Sequence, residues 1–108
     1  MNNYQMKASV FIDEKLTDEQ KRNHALLGLA SECGELCGIF QKGLLGHDVI
    51  REHIIKESGD ILWMLCEFLT VESIDLNEVM DTNIEKLLNR YPNGYELERS
   101  IHRAEGDI

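Results

Sequence analysis

Two acid-x-x-acid pairs, Glu32-Cys-Gly-Glu35 and Glu57-Ser-Gly-Asp60, lie inside segments whose apolar residues repeat at helical spacing. Residues i and i+3 of a helix sit about 60° apart around its axis, so each pair faces one way. On the first segment Glu32 falls within the stripe of Ala25, Leu29, Leu36 and Ile39, with Glu35 at its edge. On the second, Asp60 shares its face with Met64 and Val71. Four carboxylates therefore point where a helical core belongs. A buried carboxylate is costly unless it is paired or holds a metal, and four together repel one another and raise their pKa values.

The surrounding pattern reads as helices throughout, with no alternating run that would make a strand. A short apolar segment, Ala8 to Ile12, precedes an acidic turn. Thr17-Asp-Glu-Gln20 has capping-box spacing and predicts a helix from about Asp18 to Lys42, closed by Gly43 and Gly46 with a loop through His47. A second long helix is expected from near Asp48 to about Ser73, with a possible break near Glu57. Its half ILWMLCEFL is apolar almost all round, as in a central helix. Asp75-Leu-Asn-Glu78 offers the next cap, for a helix ending near Arg90 before Pro92 and an Asn93-Gly94 turn. From Glu96 onward the tail is either a short helix or extended. The expectation is an all-α bundle of four to five helices in one domain spanning 1–108, with its core at about 17–91 and a tail at 92–108.

Composition narrows the functions open to such a bundle. Twenty acidic against 11 basic residues give a net charge of −9, and the Lys and Arg are scattered. No basic patch for a nucleic-acid polymer emerges. The longest apolar run, Ile61 to Cys66, falls far short of the ~20 residues that span a bilayer, and the first residues hold no signal-peptide core. Three cysteines, Cys33, Cys37 and Cys66, cannot form a full disulfide framework. They read as buried reduced thiols in a reducing cytoplasm.

Cations must compensate the four acids, and basic residues near either pair are limited to Lys42 and Lys56. An all-oxygen set without Cys or His selects a hard divalent ion, Mg²⁺ or, in its place, Mn²⁺. Gly34 and Gly59 reduce bulk between the acids, as close helix approach requires. The competing possibility is a set of ordinary solvated acids. Two pairs, both aligned with apolar stripes and both containing Gly, are less expected from chance than one.

The runs Gly28-Leu-Ala-Ser-Glu32-Cys-Gly-Glu35, Glu57-Ser-Gly-Asp60-Ile-Leu-Trp63, Asn83-Ile-Glu-Lys86-Leu and Arg90-Tyr91-Pro92, taken in this order, resemble the MazG-like nucleotide pyrophosphohydrolases of the all-α NTP pyrophosphatase superfamily. The tail, with Arg-Tyr-Pro-Asn-Gly-Tyr and Ser100-Ile-His-Arg103, is similar to the stand-alone members. The resemblance covers about residues 24–103. Ser31 stands where many members carry a further Glu, which leaves any extra acid or base role there in doubt.

The resemblance implies hydrolysis of a nucleoside triphosphate between its α and β phosphorus atoms. Mg²⁺ would be held by Glu32, Glu35, Glu57 and Asp60, and either Glu32 or Glu35 would accept the proton of the attacking water. Lys86 and Asn83 match the family's NxxK and Lys42 a recurrent family lysine, so these are the expected phosphate contacts. Arg90 and Arg103 are weaker candidates, each open to a surface salt bridge instead. Trp63 suits stacking on a nucleobase, although a large aromatic there also suits a core. Tyr91 and Tyr95 are lesser candidates, His47 borders the acid pairs, and Glu67 shares the face of Asp60. Members of the family are typically dimers or tetramers, and the central helix has more apolar faces than one small chain covers, so a homodimer or homotetramer is expected.

Three other readings remain open. A sister branch, phosphoribosyl-ATP pyrophosphohydrolase or a dUTPase-like enzyme, shares the metal chemistry. A non-enzymatic carboxylate-bundle metal protein is disfavoured for iron, because no Glu-x-x-His spacing occurs. A helical interaction protein with incidental acids would bind no Mg²⁺.

Overall fold

The computed structural model describes residues 1–108 and is all-helical. Its elements are α1 (Asn3–Ser9), α2 (Asp18–Leu44), α3 (Arg51–Val71), α4 (Leu76–Arg90) and α5 (Leu97–Ile101). Packing groups them into two compact units, Met1–Asp75 and Leu76–Ile108, although the sequence alone reads as a single domain.

In the first unit α2 and α3 form an antiparallel hairpin. The capping box that starts α2 is complete: Gln20 N–H donates to Thr17 Oγ1 at 3.2 Å, and Thr17 N–H to Gln20 Oε1 at 2.9 Å. Both long helices end in the same chemistry. At the end of α2, His47 N–H donates to the Lys42 carbonyl and Gly46 N–H to that of Gly43, with Gly46 at φ 100°. At the end of α3, Ile74 and Ser73 N–H donate to Leu69 and Thr70 carbonyls, with Ser73 in the left-handed region at φ 57°. These are Schellman closures that satisfy carbonyls otherwise left bare. The long helix α3 runs without a break at Glu57.

The helices pack closely at Gly28, where an added Cβ would clash with Met64 Sδ. Gly34 and Gly59, expected to permit close approach, face open space. The reason is register. Moving one turn along α2 from Gly28 reaches Glu32, whereas Gly34 has rotated off the contact line. Ala25, Met64, Cys66 and Leu69 form the buried centre of the hairpin. Cys33 and Cys37, expected inside, are exposed on α2, and only Cys66 is buried. The Cys66 thiol is pushed up from its ordinary pKa by burial, which keeps it protonated.

The N-terminal segment, outside the expected core, packs on α3. Gln5 is fully buried, and its amide donates to the Thr70 hydroxyl at 3.2 Å and the Ile74 carbonyl at 2.8 Å. Two ion pairs join α2 to the far end of the hairpin: Arg22 with Glu72, and His24 Nδ1 with both oxygens of Glu67 at 3.0 and 3.1 Å. Glu67, placed on the Asp60 face by periodicity, is thereby buried and engaged by His24 instead.

In the second unit α4 ends at Arg90, and α5 confirms a short helix in the tail. Arg90 clasps Asp107 with Nε and Nη2 at 2.7 and 2.6 Å, and Nη2 also donates to the Ile108 carbonyl. The rings of Tyr91 and Tyr95 tilt together at 5.1 Å between centroids.

Candidate active site

The register set at Gly28 and Met64 places the acids. One turn beyond Gly28 on α2 stands Glu32, and one turn before Met64 on α3 stands Asp60. Continuing the same way brings Glu35 level with Glu57. Ligand oxygens of Glu32, Glu57 and Asp60 all lie within 4.8 Å of one another, and all three side chains are half-buried. Glu35 is exposed and lies outside that trio, although its charge still acts on Glu32.

The electrostatics of the cluster are uncompensated. No Lys, Arg or His forms an ion pair with Glu32, Glu35, Glu57 or Asp60. The Glu32 carboxyl is held above its ordinary pKa by loss of solvent first, then by a hydrogen bond with Glu57, then by the charges of Asp60, Glu57 and Glu35. Glu57 Oε2 is a buried oxygen with no hydrogen-bond partner. A buried acceptor left bare is rare. Convergent carboxylates with one such oxygen and no protein cation fit a hard divalent metal, by the chemistry of the donor set.

Two cavities flank the cluster. The first, of about 560 Å³, lies between the C-terminal half of α2 and the start of α3, and Glu35, Lys42, His47, His53 and Glu57 line it. The second, also about 560 Å³, lies between α1 and α3, where Asp60 and Trp63 face Tyr4, Lys7 and Phe11. Trp63 is half-buried, and its indole N–H is enclosed without an acceptor.

Among the expected substrate contacts, Lys42 and Trp63 thus border the cluster's cavities. Asn83, Lys86, Arg90 and Arg103 belong to the second unit. There Asn83 and Lys86 are exposed on α4, and Lys86 lines a separate hollow with Asn89 and residues 104–108. The Arg90 guanidinium is committed to Asp107, and the Arg103 charge also helps hold Asp107 below its ordinary pKa. His53 escaped the sequence reading. Its signal was its position, four residues before Glu57 and so on the same helical face. Tyr4, Lys7 and Phe11 gave no such signal, because nothing in the sequence says that α1 packs beside Asp60.

A family model, the MazG nucleotide pyrophosphohydrolase domain, matches residues 20–95 of the 108. No curated protein and no solved structure matches the chain significantly.

Proposed function

The chain belongs to the MazG nucleotide pyrophosphohydrolase family, and on that premise we propose that it hydrolyses nucleoside triphosphates between the α and β phosphorus atoms, releasing a monophosphate and pyrophosphate. The observation that carries this reading is the cluster of Glu32, Glu57 and Asp60, whose oxygens converge with no protein cation to balance them. These three, joined by Glu35, would hold Mg²⁺, with Mn²⁺ as substitute. When bound, the ion neutralises phosphate oxygens and polarises the phosphorus under attack.

The chain's own side chains divide the remaining work. Glu35 is exposed toward the cavity it shares with Glu57, so a water standing there can give its proton to Glu35. Of the two candidate bases, Glu32 is the less suited, because it stands inside the trio whose oxygens converge on the metal position. Lys42, His47 and His53 offer donors to the departing pyrophosphate on the same side. Asn83, Lys86, Arg90 and Arg103 are proposed as further contacts to the substrate phosphates.

No helix of the chain is long and apolar enough to cross a membrane. Exposed free thiols at Cys33 and Cys37 suit a reducing, cytoplasmic setting. Apolar side chains stand uncovered on α2, with Leu27 72% and Phe40 51% exposed. A second copy of the chain, as a homodimer or homotetramer, is the proposed cover.

The test is a panel of ribo- and deoxynucleoside triphosphates incubated with Mg²⁺ or with chelator. Monophosphate and pyrophosphate in equal amounts, formed only with Mg²⁺, are expected. Orthophosphate as the first product would overturn the α–β assignment.

A further inference from the structure

The family model begins at residue 20, so α1 lies outside the matched domain. Yet α1 supplies Tyr4, Lys7 and Ala8, and the turn after it Phe11, to the cavity that Asp60 and Trp63 close from α3. Three aromatic rings thus surround a space of about 560 Å³, within the range of small-molecule sites. Phe11, a large apolar ring, stands 72% exposed at this cavity. Asp60 belongs both to this cavity and to the carboxylate cluster, and Glu57 belongs both to the cluster and to the polar cavity. The cluster is therefore a junction with unlike chemistry on its two sides.

A nucleoside triphosphate has the same polarity along its length: a flat aromatic base at one end, polyphosphate at the other, and the α-phosphorus between. From this match we propose that the α1–α3 cavity receives the nucleoside end of the substrate, stacked among Tyr4, Phe11 and Trp63, while the β and γ phosphates enter the cavity of Lys42, His47 and His53. Aromatic faces hold bases of any identity by stacking. The polar groups beside them choose the edge. Lys7, Lys56 and the Tyr4 hydroxyl can donate, and the carboxylate of Asp60 is the cavity's charged acceptor and is claimed by the cluster. Bases that present ring carbonyls where cytosine presents an amino group, as uracil does, fit this donor-rich wall best. The N-terminal segment, together with Lys56 of α3, thus selects the base.

This inference rests on the proposed hydrolase reading, and one reporter separates the two. Trp63 is the single tryptophan in the chain, so its fluorescence reads the cavity directly. The full-length protein with Mg²⁺ is titrated with uridine monophosphate, cytidine monophosphate and inorganic pyrophosphate, and the titrations are repeated with Phe11→Ala and Tyr4→Leu. Saturable quenching by uridine monophosphate, weaker with cytidine monophosphate and absent with pyrophosphate, is expected. Each variant should weaken it by about tenfold while circular dichroism stays unchanged. Phe11 is exposed, so its truncation leaves the fold intact.

Quenching that survives both variants undiminished overturns the proposal. So does a Phe11→Ala protein whose mass drops from oligomer to monomer, since the cavity would then be a subunit interface. Equal quenching by both monophosphates overturns the choice of edge. If the protein hydrolyses triphosphates but no monophosphate quenches Trp63, the cavity assignment fails and the hydrolase reading stands. If uridine monophosphate quenches through Phe11 but no triphosphate is cleaved, the nucleoside site stands and the hydrolase reading fails.

Discussion

Glu57 and Asp60 stand one helical turn apart on α3, close enough to share a ligand, yet they open onto different cavities. The relationship follows from helix geometry. Side chains three residues apart share a face but diverge by about 60°. One points toward the loop that carries His47, the other toward α1. A single turn of helix therefore gives the cluster two doors of different character.

The contact that sets the helix register should control stability and site together. Gly28→Ala places a Cβ against Met64 Sδ, a clash that pushes α2 and α3 apart or displaces Met64. A loss of about 1–3 kcal/mol is expected by chemical denaturation, accompanied by weaker Mg²⁺ dependence because Glu32 moves with Gly28. Gly34→Ala, whose Cβ meets nothing, should instead stabilise the fold by about 0.5–1 kcal/mol through helix propensity.

In the metal-free protein the acid cluster should make stability fall with rising pH. Glu32 has its folded pKa raised above the ordinary value of 4.5, so the folded state binds that proton more tightly than the unfolded chain does. The stabilisation is complete below about 4.5 and is lost as pH climbs through the raised value. Thermal melts in chelator should show this decline, and Glu32→Gln should flatten it and raise Tm at neutral pH. A metal-free melt that strengthens across that window, unchanged by Glu32→Gln, would contradict the picture.

Asp107 carries the opposite sign. Arg90 holds its carboxyl below the ordinary value of 3.8, so its contribution exists above that pH and disappears as pH falls through the lowered value. Asp107→Asn should loosen the tail at pH 7, read as faster amide exchange over 97–108, with α2 and α3 unaffected. Exchange rates equal to wild type would show that the clasp holds nothing.

The closure of α3 predicts a stabilising change. Ser73 occupies a left-handed position that glycine adopts without steric cost. Ser73→Gly should raise stability by about 0.5–1 kcal/mol with hydrolysis unchanged. A loss of stability would mean the serine side chain contributes more than its backbone costs.

The buried amide of Gln5 is the anchor of α1. Gln5→Ala removes donors to Thr70 and Ile74 and leaves those acceptors enclosed, at a cost of about 1–3 kcal/mol. Its α1 should then detach before the hairpin melts, seen as early amide exchange over residues 3–9.

Much of this was legible in the sequence because it is local. Thr17 and Gln20 announce the start of α2, Gly46 its end, and helical spacing alone places Glu32, Glu57 and Asp60 on inward faces. Glu32 and Asp60 could be paired only once a register existed, and that register hangs on Gly28 meeting Met64, a tertiary fact. Periodicity likewise set Glu67 beside Asp60, but along a packed hairpin the partner helix decides which acids are free, and His24 claims this one. Cys33 and Cys37 read as buried because they sit four apart in an apolar helical pattern, yet the packed hairpin leaves both exposed on α2. The role of α1 was invisible, since seven residues carry too little periodicity to say where they dock.

The central claim is that Glu32, Glu57 and Asp60 bind a divalent cation. Manganese is paramagnetic, and its solution signal in electron paramagnetic resonance falls when protein binds it. Titrating Mn²⁺ against wild type, Asp60→Asn and Glu57→Gln, each with inorganic pyrophosphate present, tests the claim without requiring turnover. Wild type should deplete the free signal in a saturable way that Mg²⁺ competes away, and both variants should lose at least tenfold in affinity. Equal depletion by wild type and Asp60→Asn, or none by wild type, would contradict the account.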